Sequence, residues 1–133
     1  MLITILSLFP DFFLSPLDSS ILRRARQQGL LEVHLSNIRD FTDDKHHTAD
    51  DTPYGGGPGM VMKPEPLYRA IQAAKGKCQD EEVIFLSPKG PAYTQSTAQE
   101  LSVKEHLILL CGHYEGIDER IRKNYIDREI SIG

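Results

Sequence analysis

Short apolar runs alternate with helical stretches along most of the chain, and this alternation constrains the fold more than any other feature. The runs typical of strands are residues 2–9, 31–36, 83–86, 106–111 and 126–132. The helical stretches are residues 21–28, a segment from Pro64 or Pro66 to Ala74, residues 95–103 and a segment from Asp118. Strands that alternate with helices form parallel sheets covered on both faces. We therefore predict a single α/β domain over residues 1–133, with a mainly parallel sheet and helices on both faces.

Charge and cysteine content narrow the possible function. The net charge of −4 argues against a strongly basic nucleic-acid binder, although a local basic face could still bind RNA. Arg23, Arg24 and Arg26 form either such a face or an ordinary solvated helix surface. The apolar run at residues 2–9 is too short for a signal peptide or a membrane span. Two cysteines indicate no disulfide framework, so we expect a cytoplasmic protein that does not contact the membrane.

Two glycine-bearing segments lie beside the predicted strands. Residues 54–60 read YGGGPGM and residues 111–118 read CGHYEGID. Glycine leaves backbone amides and carbonyls uncovered, so a flat or phosphate-bearing ligand can lie against the main chain. The first segment lacks the Gly-Lys-Ser/Thr ending of a nucleoside triphosphate loop, and a flexible surface loop is its alternative interpretation.

Three loops follow predicted strands, at residues 87–91, at residues 112–116 and at Gly133. Because the carboxyl ends of parallel strands meet at one edge, where ligands bind, these loops predict a single pocket. Glu115 could bind a ligand there, could hold magnesium through water or could cap the next helix. His113 is either a general base or a hydrogen-bonding loop residue.

The remaining histidines do not predict a metal site. His46 and His47 lie among aspartates, but adjacent side chains point in different directions and the spacing matches no zinc pattern. A solvated acidic loop is the favoured interpretation, and we assign no metal ligands. His34 and His106 lie within predicted strands, and each is interpreted as a structural or edge histidine.

Two motifs in combination resemble the bacterial tRNA (guanine-N1)-methyltransferases. They are DDTPYGGGPGM at residues 50–60 and LCGHYEGIDER at residues 110–120. Shorter matches at SLFP (7–10), RDFT (39–42), LSP (86–88) and SIG (131–133) extend the resemblance along the whole chain. The resemblance implies a SPOUT-class fold with a trefoil knot in its carboxyl-terminal half, and a homodimer. It also implies methyl transfer from S-adenosylmethionine to N1 of the tRNA guanosine 3′ of the anticodon. A non-catalytic nucleotide- or RNA-binding module, or a SPOUT enzyme that acts on ribosomal RNA, are the alternatives.

The resemblance also implies which residues form the site. Backbone groups of three loops would hold the cofactor, at Leu86, Ser87, Pro88, Gly90, Gly112, Tyr114, Glu115, Gly116, Ile132 and Gly133. The target guanine would lie against Tyr54, Gly55, Pro58 and Gly59. Glu115 would support catalysis, with magnesium as a candidate second cofactor.

The family's aspartate base, its assisting arginine and its tRNA-gripping domain match no position up to Gly133. We therefore expect an amino-terminal domain with little or no turnover by itself, in which the knot could be incomplete.

Overall fold

The computed structural model describes residues 1–43, 50–51, 61–113 and 116–133, with the backbone alone for Asp50, Asp51 and Val61. The strands are β1 (Leu2–Ser7), β2 (Glu32–Asn37), β3 (Asp50–Asp51), β4 (Val61–Met62), β5 (Glu81–Leu86), β6 (His106–Cys111) and β7 (Arg128–Ile130). The α-helices are α1 (Leu14–Leu17), α2 (Ser20–Gln27), α3 (Pro64–Ala74), α4 (Gln95–Ser102) and α5 (Glu119–Tyr125). Two 3-10 helices cover Pro10–Phe13 and Ile38–Phe41.

Five of these strands form one parallel sheet in the order β2-β1-β6-β5-β7. The mainly parallel α/β fold predicted from the alternating pattern is therefore confirmed. β3 and β4 pair separately as a short antiparallel ladder. The trefoil knot remains a prediction, because strand order and pairing do not define how the chain is threaded.

Two apolar clusters cover opposite faces of the sheet, because successive residues of a strand point to opposite sides. On one face, Val83 and Phe85 of β5 pack in a cluster with α3 and α5. On the other face, Ile84 packs in a second cluster with Leu101 of α4. Helices thus lie on both faces as predicted. No helix among the described residues is long and apolar enough to span a membrane.

Element boundaries differ from the sequence prediction by small shifts with identifiable causes. The first strand ends at Ser7, whose Oγ accepts a hydrogen bond from the Phe9 amide and turns the chain into the 3-10 helix at Pro10–Phe13. The last strand begins only at Arg128, because the Asp127 carboxylate accepts the Val83 amide at 2.8 Å. The 3-10 helix at Ile38–Phe41 and the strands β3 and β4 interrupt a region in which the sequence showed no periodicity.

A buried hydrogen-bond network joins β1, β5 and β6 at the amino-terminal side of the sheet. His106 is fully buried, which confirms its interpretation as a structural histidine. Its Nε2 lies 2.8 Å from Thr4 Oγ1, and its Nδ1 lies 2.6 Å from Glu81 Oε2. The Glu81 carboxylate also accepts the backbone amides of Gly76, Lys77 and Cys78. The network therefore fixes the loop before β5 as well as three adjacent strands.

The same contacts keep Glu81 ionised. Burial by itself raises the pKa of Glu81, but the hydrogen bonds from His106 and from the three amides outweigh it and lower the pKa from 4.5 to about 2. An ionised carboxylate can only accept hydrogen bonds, so Nδ1 of His106 donates to Glu81, and the Thr4 hydroxyl pairs with Nε2 on the other side of the ring. Because the folded-state pKa is depressed, this contribution to stability is complete above pH 4.5 and is lost as the pH falls toward 2.

We predict that Glu81→Gln lowers the free energy of unfolding by about 1–3 kcal/mol at pH 7, because a buried charge-assisted network loses its acceptor. As the pH is lowered from 4.5 to 3, the free energy of unfolding should also fall much less in the variant than in the wild type. Urea unfolding followed by circular dichroism at several pH values measures both effects. Glu105→Gln is the control, since Glu105 is exposed at the same side of the sheet. Equal acid dependence in Glu81→Gln and the wild type would contradict the prediction.

Candidate cofactor pocket

A cavity of about 230 Å³ lies at the carboxyl ends of β5 and β6. Its lining consists of Phe85, Leu86, Ser87, Pro88, Lys89, Gly112, His113, Gly116, Ile117, Glu119, Arg122 and Glu129. The apolar lining residues suit a flat ring, and the charged lining residues suit a ligand that carries both signs of charge. The cavity lies where strand-end loops of a parallel sheet bind ligands.

Backbone hydrogen bonds bring the loop after β5 against the chain after β7. The Ser87 amide donates to the Ile130 carbonyl at 2.9 Å. Further on, the Tyr93 amide donates to the Ser131 carbonyl, and the Ser131 amide donates to the Pro91 carbonyl, both at 2.8 Å. The loop after β6 lies on the other side of the same segment, because the register of β5 and β6 places Leu86 beside Cys111. The three strand-end segments are therefore adjacent, but among the described residues only the loops after β5 and β6 line the cavity, together with Glu129 of β7.

Two glycines allow this close approach. A Cβ atom on Gly90 would lie 2.8 Å from the backbone carbon of Glu129 and from the backbone nitrogen of Ile130. A Cβ atom on Gly112 would lie 2.8 Å from Cε1 of Phe85. The backbone beside Gly90 cannot move aside as the Phe85 ring beside Gly112 can. A side chain is therefore tolerated less well at Gly90 than at Gly112.

The structure distributes the predicted site residues over three places. Leu86, Ser87, Pro88, Gly112 and Gly116 line the cavity, and Gly90 packs behind it against β7. Ile132 is 74% exposed and lines a different groove beside α4, and Gly133 follows it at the end of the described chain. The predictions for Tyr54, Gly55, Pro58, Gly59, Tyr114 and Glu115 lie outside the described residues. Ligand binding by each of these residues remains a prediction.

Sequence reasoning missed the charged groups of the cavity. Glu129 accepts hydrogen bonds from both Nε and Nη2 of Arg122, the former at 3.1 Å. Burial raises the pKa of Glu129, but the hydrogen bonds from Arg122 and from the Ser87 hydroxyl lower it overall. The i,i+3 spacing of Glu119 and Arg122 could have indicated a charged cluster, because it places both side chains on one face of α5.

Residues that flank the glycine-rich segment are joined to the cavity wall. The Met62 amide of β4 donates to the Gly116 carbonyl at 3.0 Å, and Met62 pairs with Ile117. Asp118 then caps α5 by accepting the Arg120 amide at 2.8 Å, and its carboxylate also binds the Arg120 guanidinium. That guanidinium lowers the pKa of Asp118. The chain that leaves the first glycine segment thus returns directly to the second.

No group of three or more histidine, cysteine, aspartate or glutamate residues in the described parts of the chain is arranged to hold a metal ion. His46, His47 and Glu115 lie outside those parts. Asp43, from the acidic segment, instead pairs with Arg69 at 2.6 Å.

Comparison with known proteins identifies the family. The family model of tRNA (Guanine-1)-methyltransferase TrmD matches residues 1–133. The chain belongs to this family. The tRNA (guanine-N(1)-)-methyltransferase of Dictyoglomus turgidum is 56% identical to it over 131 residues, which are 98% of this chain and 52% of that protein. The enzyme of the same name from Carboxydothermus hydrogenoformans is 56% identical over 133 residues, which are 100% of this chain and 52% of that protein.

A solved structure agrees with the fold. The crystal structure of the tRNA (m1G37) methyltransferase from Aquifex aeolicus matches with a TM-score of 0.89 and 37% identity, covering 100% of this chain and 60% of that one. The chain spans about half the length of the curated relatives it matches. Family membership extends over all 133 residues, so it includes both the loops of the cavity and the glycine segment at residues 54–60.

We predict that Arg122→Ala raises the pKa of Glu129, because the carboxylate keeps its burial and loses its guanidinium partner. Side-chain ¹³C NMR titration of Glu129 measures the change. Arg120→Ala is the matched control, since Arg120 pairs with Asp118 outside the cavity lining. An unchanged Glu129 titration in Arg122→Ala would show that the ion pair does not control this carboxylate.

Proposed function

We propose that the chain forms the cofactor-binding domain of an S-adenosylmethionine-dependent methyltransferase, which methylates N1 of the guanosine 3′ of the anticodon in tRNA. The single observation that carries the proposal is the cavity at the ends of β5 and β6, walled by Leu86, Ser87, Pro88, Gly112 and Gly116. The whole-chain family match supports the same reaction.

The residues of the cavity fit the chemistry of this cofactor. S-adenosylmethionine carries a flat adenine and, at its other end, an ammonium and a carboxylate. Phe85, Leu86 and Ile117 offer apolar surface to the ring. Lys89 and Glu119 offer opposite charges to the amino-acid end. When bound, the cofactor supplies an electrophilic methyl group.

The reaction needs two further contributions from the protein. Guanine N1 carries a proton and becomes a nucleophile only after a base removes it, while charge that develops at O6 requires stabilisation. The guanine must also be held in line with the methyl donor. The hydrogen bond between Met62 and Gly116 supports such an arrangement, because it ties the end of the predicted guanine segment to the cofactor cavity. Glu115 is proposed to support this step, with magnesium as a candidate aid.

The names of the relatives favour tRNA as the substrate over ribosomal RNA, and a methyltransferase over a non-catalytic binding module. We further propose that the protein acts in the cytoplasm as a homodimer and that the complete fold contains the trefoil knot. The resemblance of the motifs at residues 50–60 and 110–120 to this family supports these proposals.

We predict that S-adenosylhomocysteine binds the chain and that Gly90→Ala weakens this binding by about tenfold or more. An added methyl group would meet backbone atoms of Glu129 and Ile130 at 2.8 Å, so the loop at residues 87–90 must move and the cavity wall that it forms must change shape. Isothermal titration calorimetry measures the affinity.

Gly29→Ala is the matched control for this measurement. Gly29 has φ of +75° with open space around it, so its substitution strains the backbone at a site outside the cavity. The control should lose stability while keeping its affinity for S-adenosylhomocysteine. Equal affinities of Gly90→Ala and Gly29→Ala for S-adenosylhomocysteine would contradict the proposal that the loop at residues 87–90 binds the cofactor.

A further inference from the structure

An ion pair joins β7 and α5 in the wall of the candidate cofactor pocket. Glu129 of β7 accepts hydrogen bonds from Nε and Nη2 of Arg122, the former at 3.1 Å. Glu129 lies beside Phe85 in the strand pairing, and its side chain therefore points to the face of the sheet on which Phe85 packs with α5. Both charged side chains line the pocket. We call Glu129 and Arg122 the pocket ion pair.

The loop after β5 packs against the same part of β7. The Ser87 amide donates to the Ile130 carbonyl at 2.9 Å. Gly90 lies so close to β7 that a Cβ atom on it would lie 2.8 Å from the backbone carbon of Glu129. Burial raises the pKa of Glu129, but hydrogen bonds from Arg122 and from the Ser87 hydroxyl lower it overall. Glu129 thus contacts this loop through its backbone and through its carboxylate.

The arginine of the pair belongs to the helix that follows the other loop of the pocket. Gly116, in the loop after β6, lines the pocket, and α5 begins three residues later at Glu119. Arg122 lies in the first turn of α5, so the helix backbone holds it close to the end of that loop. The pocket ion pair therefore connects the loop after β6 with the loop after β5.

A contribution to stability does not distinguish this ion pair from another in the chain. The Arg122 side chain is 38% exposed, and ion pairs with so exposed a partner add little to the free energy of unfolding. Glu82 and Arg128 form a second glutamate–arginine pair between β5 and β7, with 2.9 Å between Glu82 Oε1 and Arg128 Nε. This second pair lies outside the described lining of the pocket. Only the pocket ion pair borders the ligand site, among these two.

We propose that Glu129 is a positioning residue for the cofactor. Held by Arg122, it fixes the loop at residues 87–90 relative to the loop after β6. This inference rests on the proposed function, and it gives Glu129 no contact with the reacting atoms. A pocket whose loops are already in place binds its ligand more tightly, because less conformational freedom is lost on binding. Breaking the pocket ion pair should therefore weaken cofactor binding.

The test compares the two glutamates, whose side chains are similarly buried at 14% exposure for Glu129 and 12% for Glu82. Substitution by glutamine keeps the shape of each side chain and removes the charge that an arginine contacts. Glu129→Gln should bind S-adenosylhomocysteine about tenfold more weakly than the wild type, whereas Glu82→Gln should bind it as the wild type does. Isothermal titration calorimetry measures the three affinities. Equal affinities of the two variants would overturn the proposal.

A double-mutant cycle tests whether the two members of the pair act together. Arg122→Ala should weaken binding of S-adenosylhomocysteine by a factor similar to that of Glu129→Gln. The double variant should bind no more weakly than either single variant, because each substitution breaks the same contact. Additive losses would show that the two side chains act on the ligand separately, which contradicts a positioning role of the pair.

A second ligand distinguishes positioning from recognition of charge. S-adenosylmethionine carries a positive sulfonium group that S-adenosylhomocysteine lacks. A correctly placed loop should favour both ligands, so Glu129→Gln should weaken the binding of both by the same factor. Weaker binding of S-adenosylmethionine alone would mean that the Glu129 carboxylate acts on the sulfonium charge, and the positioning role would be wrong.

Hydrogen exchange gives a readout that needs no ligand. The Lys89 amide donates to Ser87 Oγ at 3.1 Å, and the Gly90 amide donates to the Ser87 carbonyl at 3.2 Å. If Glu129 fixes this loop, both amides should exchange faster in Glu129→Gln than in the wild type or in Glu82→Gln. NMR of the amide signals measures the rates. Unchanged exchange in Glu129→Gln would show that the loop is held without this carboxylate.

The proposed function and the positioning role fail on different results. If the wild type does not bind S-adenosylhomocysteine, the assignment of a cofactor-binding domain fails, and the positioning role fails with it. If the wild type binds this ligand and Glu129→Gln binds it equally well, only the positioning role fails.

Discussion

β5 pairs in parallel with β6 on one side and with β7 on the other, and the functional edge of the domain depends on this pairing. The register places Leu86 beside Cys111 and beside Ile130, so all three strands end at the same height. Loops that are distant in sequence must then turn within a few ångströms of one another. A one-residue slip of either pair would reverse which side chains face the helices and would separate the loops.

The two ends of the sheet use their charged groups differently. At the amino-terminal side, the Glu81 carboxylate is enclosed by hydrogen-bond donors and joins strands and a loop into a fixed unit. At the carboxyl-terminal side, Glu129 and Arg122 also pair, but they do so in the wall of an open cavity. The first pair therefore stabilises the fold, whereas the second determines the charge of the cavity wall.

The sequence predicted those parts of the structure that short-range patterns control. The strand β6 has the same bounds as its apolar run at residues 106–111, and Pro64 begins α3 as the preference of proline for the first helical turn indicates. The convergence of the loops followed from the parallel sheet alone. The family resemblance added the cofactor and the candidate site residues, which no composition or periodicity could supply.

Other features depend on tertiary contacts and could not be predicted in this way. The role of Glu129 in the cavity appears only when the fold brings Arg122 of α5 within hydrogen-bond distance of it. A cavity beyond the carboxyl ends of β1 and β6 is lined by residues between 7 and 13 and by residues 111–113, about a hundred positions apart in sequence. The short helices at Pro10–Phe13 and Leu14–Leu17 escaped prediction because each has only four residues, too few to show helical periodicity.

His106 joins β1, β5 and β6 at the edge of the sheet opposite the candidate cofactor pocket. This separation affects how the loops around the pocket can change. Exchange of whole loop segments at the opposite rim leaves the hydrogen bonds of Thr4 and Glu81 untouched. Loop sequences at that rim can therefore diverge or be exchanged while the sheet beneath them continues to assemble in the same way.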